Sequence, residues 1–514
     1  MTPIGRLRPY RTLRLAARMS SARARATHRR ARRTQEKVLS RILSLYRDTE
    51  LGRSFGLGGI RSITDFQRRI PVTEKKDYAS WVERLKRDNA PGIVTKNKLG
   101  YLALTSGTND ELRHFPFPAD LIKAFQQFQL EIMLHLMDRL QRYNLLDENV
   151  LVTAPAATYD KLPSGLVVGK ATAIMTQRTP RIGRGLVRPP REILEMTDVE
   201  AKLKATVNDA IPRDIRLLTG VPLSVLPLAE RLVDEARAQG LGAKTLKEIW
   251  PNLAAYTYSG AAIGSLEPRL RELIGEGVPF FEVYSASESP LAYQFVPGEP
   301  GLLLDLRHTF FEFQRAGDPL EAPRLTLEQV EPSTPYRILL TTLGGRFCYR
   351  LGDHIEFLST DPYLIRVLGR EREELNLGYE RIPLHVVKAA LARACEIERA
   401  RIHNFFVCPT ERSEVEPGHE WHVEFAEPPV SRERFVAALD QALLEGHDRY
   451  AFARKDDHLL KHPELVVMPV GTVERFVLAS REFGLAKFTP IYNERGAAAP
   501  ILEFASASEP APAG

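Results

Sequence analysis

Four short segments of the 514-residue chain combine residue types that bind nucleotides, and the first is rich in hydroxyl groups. It consists of Thr105, Ser106, Gly107 and Thr108 and follows an apolar stretch. Hydroxyl groups, together with the backbone amides beside a glycine, can donate hydrogen bonds to a polyphosphate. Turns in which such hydroxyls bond their own backbone are common, so a plain turn is the alternative interpretation of this segment taken alone.

The second segment contains Tyr284, Ser287 and Glu288 and follows an apolar stretch that predicts a strand. An aromatic ring suited to stacking on a base, a hydroxyl and a carboxylate thus lie close together at the end of a strand. The carboxyl ends of strands are where open α/β sheets bind their ligands. Taken alone, the segment is more typical of a helix start that Ser285 or Ser287 caps, with Glu288 in the first turn.

The third and fourth segments supply charged groups. Asp353 follows Gly352 and can accept hydrogen bonds from two ribose hydroxyls, while Arg350 can pair with a phosphate. An exposed ion pair in a turn is the structural alternative. Lys487 lies in a short stretch near the carboxyl terminus. Such a lysine is usually solvated, but on a mobile domain it can be delivered to the charge that develops at a phosphate.

Other patterns do not satisfy the spacing that their chemistry requires. The three cysteines lack CxxC pairs and are predicted to be free, buried thiols in a reducing compartment: Cys348, Cys395 and Cys408. His458 and His462 have HxxxH spacing without the zincin glutamate, so we predict no metal site held by protein ligands alone. Gly165–Lys170 is one residue too short for a Walker loop and lacks its hydroxyl residue.

The composition is that of a soluble globular protein. Hydrophobic residues make up 44% and charged residues 26% of the chain, and its length predicts two domains. Because eighteen consecutive apolar residues occur nowhere, no membrane-spanning helix is expected. With no signal peptide apparent, a cytoplasmic location is the prediction.

The positive net charge of +6 comes from one end of the chain. Residues 1–33 carry eleven arginines and no acid, so the remainder is mildly acidic and gives no support for nucleic-acid binding. These residues, the arginine-rich head, contain too few leucines to form a strong apolar helix face. The head is interpreted as an arm that makes weak contact with anionic lipid or a partner, as a segment resembling a transit peptide, or as a solvated helix without a dedicated role.

Periodicity then predicts the elements that position these segments. Helical stretches alternate with apolar strands up to residue 285, strands dominate from 300 to 357, and a smaller helix–strand unit follows. The predicted class is α/β, with a large N-terminal domain of mixed and parallel sheets, a β-rich subdomain and a small, mobile α+β C-terminal domain. The predicted boundaries are 1–33 (arginine-rich extension), 34–357 (large domain), 358–500 (small domain) and 501–514 (disordered tail).

The order of these segments resembles the Gretchen Hagen family of acyl acid–amido synthetases, a branch of the acyl-adenylate-forming superfamily. The resemblance extends from Thr34 to Glu494. It includes seven further segments: Leu218–Pro222, Glu248–Leu253, Phe310–Phe313, Tyr336–Thr342, Leu368–Arg370, Asn376–Ile382 and Met468–Thr472.

The resemblance implies a ligase that uses ATP and Mg²⁺ to activate a small carboxylic acid as its acyl-adenylate. The acyl group then passes to an amine, an amino acid in this family, with release of AMP and pyrophosphate. Transfer to a thiol such as coenzyme A is one alternative. A degenerate member that binds an acyl ligand or a partner without catalysis is the other.

The resemblance also implies roles for individual residues. The ATP phosphates are surrounded by Thr105, Ser106, Gly107 and Thr108. Tyr284 lies beside the adenine, Ser287 lies near the α-phosphate, and Glu288 faces Mg²⁺. Asp353 binds the ribose with Arg350 nearby, and Lys487 assists adenylation. Segments 162–169 and 219–223 resemble those that line the acyl pocket.

The phosphate segment departs from the family pattern. The family continues with glycines and a lysine, whereas this chain continues with Asn109, Asp110 and Glu111. Two acids beside a triphosphate repel it unless they bind Mg²⁺ or point away. Arg113 is the candidate for the basic role.

Overall fold

The computed structural model describes residues 3–105, 113–154, 160–179, 185–260, 263, 266–371, 374–377, 380, 382–410, 418–456, 460–479 and 489–507. Contacts divide them into two units. The smaller unit comprises residues from Val367 onward together with Gly264–Glu267 and Gly352–His354, and the larger unit comprises the rest. The predicted mixed α/β class with a large and a small part is confirmed.

The helices of the larger unit begin where the sequence supplies caps. Thr49, Ser62, Asp198 and Thr245 each accept a hydrogen bond from a backbone N–H in the first turn of the helix that follows. The helices are α1 (Pro3–Arg29), α2 (Ala31–Tyr46), α3 (Glu50–Ser54), α4 (Ile63–Arg69), α5 (Ala79–Arg87), α6 (Ala119–Leu140), α7 (Ala171–Gln177), α8 (Arg191–Leu194), α9 (Val199–Ala210), α10 (Pro222–Ala238), α11 (Leu246–Ile249) and α12 (Glu267–Ile274).

Fifteen strands lie before residue 371 in the described part of the chain. They are β1 (Tyr101–Thr105), β2 (Arg113–Pro116), β3 (Asn149–Val152), β4 (Asp160–Lys161), β5 (Val167–Lys170), β6 (Val187–Arg188), β7 (Ile215–Thr219), β8 (Ala255–Ser259), β9 (Phe280–Ala286), β10 (Ser289–Gln294), β11 (Leu302–Leu304), β12 (Thr309–Arg315), β13 (Pro335–Thr342), β14 (Tyr349–Thr360) and β15 (Tyr363–Arg370).

Two sheets contain all these strands. A small sheet has the order β2-β1-β5-β4, and a large one has the order β12-β13-β14-β15-β11-β10-β9-β8-β7-β3-β6. The pairs from β9 through β8, β7 and β3 to β6 are parallel, while β10 pairs antiparallel with both β9 and β11. The large sheet is therefore mixed, as predicted, with parallel pairs from β9 to β6 and antiparallel pairs on either side of β10.

The strand β14 is longer than the sequence predicts. The apolar pattern there indicates two strands on either side of a Gly-Asp turn, but one strand runs from Tyr349 to Thr360. Gly352 has a φ of +85° and so allows an irregularity inside the strand without ending it.

The arginine-rich head is a helix packed onto the larger unit. Small side chains of α1 lie in the core with Phe128 and Leu136 of α6, and Ser21 donates a 2.6 Å hydrogen bond to Asp138. The buried positions are Ala17, Ser21, Ala24 and His28, at the spacing of one helix face. Among the described head residues, the arginines of this helix are exposed. Small residues, rather than leucines, therefore form the face of α1 that packs against α6.

The smaller unit is built on a three-stranded sheet. Its elements are β16 (Glu374–Leu375), β17 (Ile382–Pro383), α13 (Leu384–Glu398), β18 (Arg401–Pro409), β19 (His419–Glu427), α14 (Arg432–Gly446), α15 (Asp448–Ala451), β20 (Glu464–Met468), α16 (Thr472–Ala479) and α17 (Arg495–Ala507). β19 pairs antiparallel with β18 and parallel with β20. Val407, Trp421 and Val423 share the apolar core of this unit with residues of α13 and α14.

Two predicted boundaries move. Residues 358–366 lie with the larger unit, because Leu364 and Ile365 of β15 pair with β11 of the large sheet. Residues 501–507 of the predicted disordered tail are helical in α17, where Ile501 is fully buried. The cost of ordering this alanine-rich segment is offset by that burial. Residues 508–514 lie outside the described part.

No helix in the described part of the chain combines the length and apolar character that crossing a bilayer requires.

Candidate active site

The segment with Tyr284, Ser287 and Glu288 forms a β-hairpin in the larger unit. Tyr284 lies in β9, and Ser287 and Glu288 form the turn that leads into β10. The next residue, Ser289, forms a 2.6 Å hydrogen bond with the Thr309 hydroxyl, which also donates to the Pro290 carbonyl. The alternative interpretation as a capped helix start is therefore wrong, because strand pairing satisfies the backbone groups there.

The loop after β13 lies against this turn. A Cβ atom placed on Gly344 would lie 3.6 Å from the Glu288 carbonyl oxygen and 3.2 Å from Leu121. Gly345 has a φ of +78°, and a Cβ there would lie 2.9 Å from the Tyr46 ring. Tyr46 in turn donates to the Leu343 carbonyl at 2.7 Å. Gly345 thus lets the loop pass close to Tyr46, and Gly344 lies near the Glu288 backbone; the sequence analysis does not single out either glycine.

The hydroxyl-rich segment begins at the end of β1. Thr105 pairs with Arg113 of β2 across the small sheet, so the two strands bracket the segment. Ser106, Gly107 and Thr108 lie outside the described residues, as do the side chains of Thr105 and Arg113. Their predicted contacts with phosphate remain predictions, as does the role of Lys487, which also lies outside the described part.

Two basic residues near these strand ends were missed. Lys170, set aside with the Walker-like pattern, ends β5 and pairs with Leu104, the residue before Thr105. Arg346 is buried with its guanidinium 4.2 Å from the Tyr78 ring centre and 5.0 Å from that of Phe115. Rings that face a guanidinium stabilise its charge where water is excluded. The position of Lys170 beside Leu104 follows from strand pairing, and that of Arg346 from its packing against Tyr78 and Phe115, so neither can be read from the local sequence.

Arg350 is held by an acid of the larger unit. Its Nη1 donates to Glu74 Oε1 at 2.8 Å, and its backbone N–H donates to the Thr73 carbonyl at 2.9 Å. Both side chains are about a third exposed, so solvent screens the pair and it contributes only ~0–1 kcal/mol to stability. A phosphate could compete for this guanidinium at small cost.

Asp353 belongs to the smaller unit. It is buried, and the Nε of Arg370 lies 3.4 Å from its Oδ1. The neighbouring Gly352 carbonyl accepts a hydrogen bond from the Glu371 N–H at 2.8 Å. These contacts tie the segment of Asp353 to the residues that follow β15, so its carboxylate has a defined setting instead of lying in an exposed turn.

The carboxyl ends of the parallel strands define an edge of the large sheet. There a Cβ on Gly220 would lie 1.8 Å from Thr153 Oγ1, so only glycine fits after β7. Within the described residues, Thr153 Oγ1 is buried without a hydrogen-bond partner. Lys202 donates to the Ala154 carbonyl at 2.7 Å, and burial lowers its pKa to about 8. This edge includes Thr219, part of the segment predicted to line an acyl pocket.

One carboxyl group near the hairpin is itself perturbed. Burial raises the pKa of Glu282 in β9, although Tyr258 donates a weak 3.5 Å hydrogen bond to it. Since side chains alternate along a strand, Glu282 and Tyr284 share a face. A carboxyl whose pKa is raised by burial therefore lies on the same sheet face as the predicted adenine contact.

Comparison with known proteins matches three domain models of one family in chain order. They are the GH3 family N-terminal domain over residues 21–226, the GH3 family central domain over 302–370 and the GH3 family C-terminal domain over 385–484.

Two similar proteins come from plants. A jasmonoyl–L-amino acid synthetase, JAR4, from Nicotiana attenuata is 22% identical over 389 residues, which cover 63% of this chain and 66% of that protein. A probable indole-3-acetic acid-amido synthetase, GH3.12, from Oryza sativa subsp. japonica is 29% identical over 103 residues, or 20% of this chain and 17% of that protein. The match thus spans just under two thirds of the first relative and a small part of the second.

Solved structures share the fold. The AtGH3.15 acyl acid amido synthetase in complex with 2,4-DB has a TM-score of 0.78 at 18% identity, covering 95% of this chain and 96% of that one. A 2-hydroxyisobutyryl-CoA ligase in complex with 2-HIB-AMP has a TM-score of 0.57 at 15% identity, covering 92% of both chains. Taken with the three consecutive domain matches, these findings confirm the resemblance seen in the sequence: the chain belongs to the GH3 family.

Proposed function

We propose that the protein is an ATP-dependent ligase that converts a carboxylic acid into its acyl-adenylate and transfers the acyl group to an amino acid. The observation that carries this proposal is the order of the three GH3 domain matches along a chain whose fold agrees with an acyl acid amido synthetase. The hairpin with Tyr284, Ser287 and Glu288 lies within that fold.

The residues present suit a nucleotide bound with Mg²⁺. Glu288 is a buried carboxylate in a turn that the Ser289–Thr309 hydrogen bond holds, and carboxylates are the protein ligands that Mg²⁺ prefers. Glu288 would hold the ion together with the phosphates. Once bound, Mg²⁺ supplies positive charge that offsets the charge of the triphosphate.

The remaining residues bind and orient the nucleotide. Tyr284 would stack on the adenine, Ser287 would donate to the α-phosphate, and Asp353 would accept hydrogen bonds from the ribose hydroxyls. Arg350 would exchange part of its contact with Glu74 for a phosphate oxygen. Lys487 would offset charge during adenylation.

The chemistry proceeds in two displacements. A carboxylate oxygen of the acid attacks the α-phosphorus, and pyrophosphate leaves. An amine nitrogen then attacks the acyl carbon, AMP leaves with the electrons of the broken bond, and the nitrogen loses a proton. The first displacement replaces a poor leaving group by a good one, which is why the second can occur at all.

Transfer to coenzyme A is the second candidate, because a CoA ligase also shares the fold. The higher TM-score of the amide synthetase favours an amino acid as acceptor. Acid-dependent AMP release in the presence of single amino acids or of coenzyme A distinguishes the two. We expect release to increase with at least one amino acid and not with coenzyme A, and the reverse result would favour the thiol.

The anionic-surface contact of the head stays a separate proposal. The exposed arginines of α1 would attract anionic lipid by charge alone, since the small residues of that helix are used in packing against α6.

A further inference from the structure

One face of the small sheet carries groups that ligate metals. Cys408 in β18 pairs directly with Glu420 in β19, and His422 lies two residues further along the same strand. Because side chains alternate along a strand, Glu420 and His422 project from one face, and Cys408 projects from the same face opposite Glu420. The face opposite to theirs holds Val407, Trp421 and Val423.

The three ligating atoms lie close together. The Nε2 of His422 is 2.6 Å from Glu420 Oε1, and Cys408 Sγ is 4.0 Å from that oxygen. One atom of each side chain falls within 4.8 Å of the other two, and no second group of three such residues occurs in the described part of the chain. All three side chains are buried.

The histidine ring is oriented but incompletely bonded. It stacks on Phe406 with ring centres 4.4 Å apart and planes 5° apart, so its direction is fixed. Within the described residues, Nδ1 of His422 is buried without a hydrogen-bond partner. Nε2 is the ring nitrogen that faces Glu420, so it is the nitrogen that would bind a metal ion in this cluster.

A single cation already neutralises part of this cluster. Nη1 of Arg495, at the start of α17, lies 3.2 Å from Glu420 Oε1 and 3.9 Å from Cys408 Sγ, and donates to the Pro409 carbonyl at 2.7 Å. The arginine therefore competes with any metal ion for the carboxylate and the sulfur.

We propose that Cys408, Glu420 and His422 form a Zn²⁺ site in the smaller unit. Thiolate, imidazole and carboxylate together match the borderline-soft character of Zn²⁺. Donors around a tetrahedral Zn²⁺ lie about 3.3–3.6 Å apart, as its bond lengths require. The observed separations of 2.6 and 4.0 Å lie on either side of that range, so small side-chain movements suffice.

Three protein ligands leave one position open for water or another donor. The site is independent of the Mg²⁺ that the proposed ligase reaction uses, since none of its residues is assigned to the nucleotide.

Cobalt provides a spectroscopic probe of the site. The full-length protein, treated with a chelator, is titrated with Co²⁺, which substitutes for Zn²⁺ and gives a thiolate-to-metal charge-transfer band. We expect saturation at about one equivalent, and displacement by Zn²⁺. The band should disappear in Cys408→Ser and weaken in His422→Ala. It should persist in Cys395→Ser, which alters a cysteine outside the cluster.

The absence of saturable binding to the wild-type protein, or an equal band in a folded Cys408→Ser protein, would overturn the proposal. Circular dichroism checks the fold of each variant. If Cys408→Ser does not fold, Co²⁺ binding to Arg495→Ala tests the proposal instead, because that variant keeps all three ligands. Removing its competing charge should tighten Co²⁺ binding about tenfold, whereas unchanged or weaker binding contradicts a metal site at these residues.

Discussion

Two antiparallel strand pairs place carboxylates in different settings. In the β9–β10 hairpin, Glu288 lies in the turn, and the turn is held by hydroxyls of its neighbours, Ser289 and Thr309. In the β18–β19 pair, Glu420 lies within a strand, and its Oε1 contacts both His422 and Arg495. Hydroxyl groups thus hold the turn that carries the first carboxylate, while the second carboxylate lies in a network of charged side chains.

The difference predicts different consequences when each carboxylate is removed. A carboxylate at a strand end can be exchanged without disturbing the ladder, so its loss should affect ligand binding more than folding. A buried carboxylate inside a charge network compensates other charges, so breaking the network should destabilise the unit. The smaller unit contains another such network around Asp440, which makes this contrast testable.

The largest effect should come from the two carboxylates that we propose to bind the nucleotide. We expect Glu288→Ala and Asp353→Ala each to reduce acid-dependent adenylation at least about a hundredfold, because contacts to the charged nucleotide are lost. Pyrophosphate exchange measures the loss, and thermal unfolding shows that the fold is intact. Glu299→Gln, an exposed acid after β10, is the matched control. Wild-type activity in either folded variant contradicts the site assignment.

Next in size is the effect of breaking a charge network. Arg454 donates to Asp440 at 2.7 Å, and Tyr450 donates to the same carboxylate at 2.5 Å. Both partners of the ion pair are largely buried, so Arg454→Ala should lower the unfolding free energy of the smaller unit by about 3 kcal/mol. Urea unfolding measures this loss of stability, and Arg449→Ala, which removes an exposed arginine of the same unit, is the control. Equal stabilities of the two variants would contradict the expectation that breaking a buried charge network destabilises the smaller unit.

The pH response should differ in sign between histidines of the two units. Burial lowers the pKa of His28 in α1 to about 4, and its Nδ1 accepts a hydrogen bond from the Tyr363 N–H. Between about pH 6.5 and about pH 4 the unfolded chain binds a proton that the folded chain does not, so stability falls as pH falls. The full loss of unfolding free energy is on the order of 3 kcal/mol. His28→Gln should make the unfolding free energy less dependent on pH over this range.

In the smaller unit, the hydrogen bond to Glu474 raises the pKa of His403. This contribution is complete below the unfolded pKa of about 6.5 and is lost as pH rises through the folded pKa. Urea unfolding across this range checks both signs, with His403→Gln compared against His28→Gln. A profile that neither substitution changes would contradict the assignment of these two groups.

The smallest effect concerns the altered phosphate segment, which lies outside the described residues. Glu111→Gly should strengthen ATP binding a few-fold by removing a charge that repels the triphosphate. Asn109→Gly, which adds a glycine without changing charge, is the control, and calorimetry measures both. Weaker binding in Glu111→Gly would mean that this carboxylate assists nucleotide binding.

Sequence reasoning succeeds where the signal is local. Apolar runs predict the strands β7, β8 and β9, and the order of short segments identifies the family. Such features depend on residues close together in the chain. The turn at Ser287 shows the limit, because a hydroxyl followed by an acid is more typical of a helix cap, and only pairing with β10 decides between a cap and a turn.

Features that depend on residues far apart in the chain cannot be predicted in this way. The buried face of α1 consists of Ala17, Ser21, Ala24 and His28, and its small apolar residues are buried because α6 presents large side chains opposite them. The Cys408–Glu420–His422 cluster depends on strand register, and no spacing along the chain encodes that register. Gly344 likewise matters through its approach to Glu288, far away in sequence.

The most direct test of the central claim is acid-dependent exchange of labelled pyrophosphate into ATP, across a panel of aromatic and medium-chain carboxylic acids. We expect exchange with at least one acid and its loss in Glu288→Ala, since adenylation is reversible while pyrophosphate is present. A folded protein that fails to bind ATP at all, and exchanges with no acid, would contradict the proposed ligase and favour a family member that binds without catalysis.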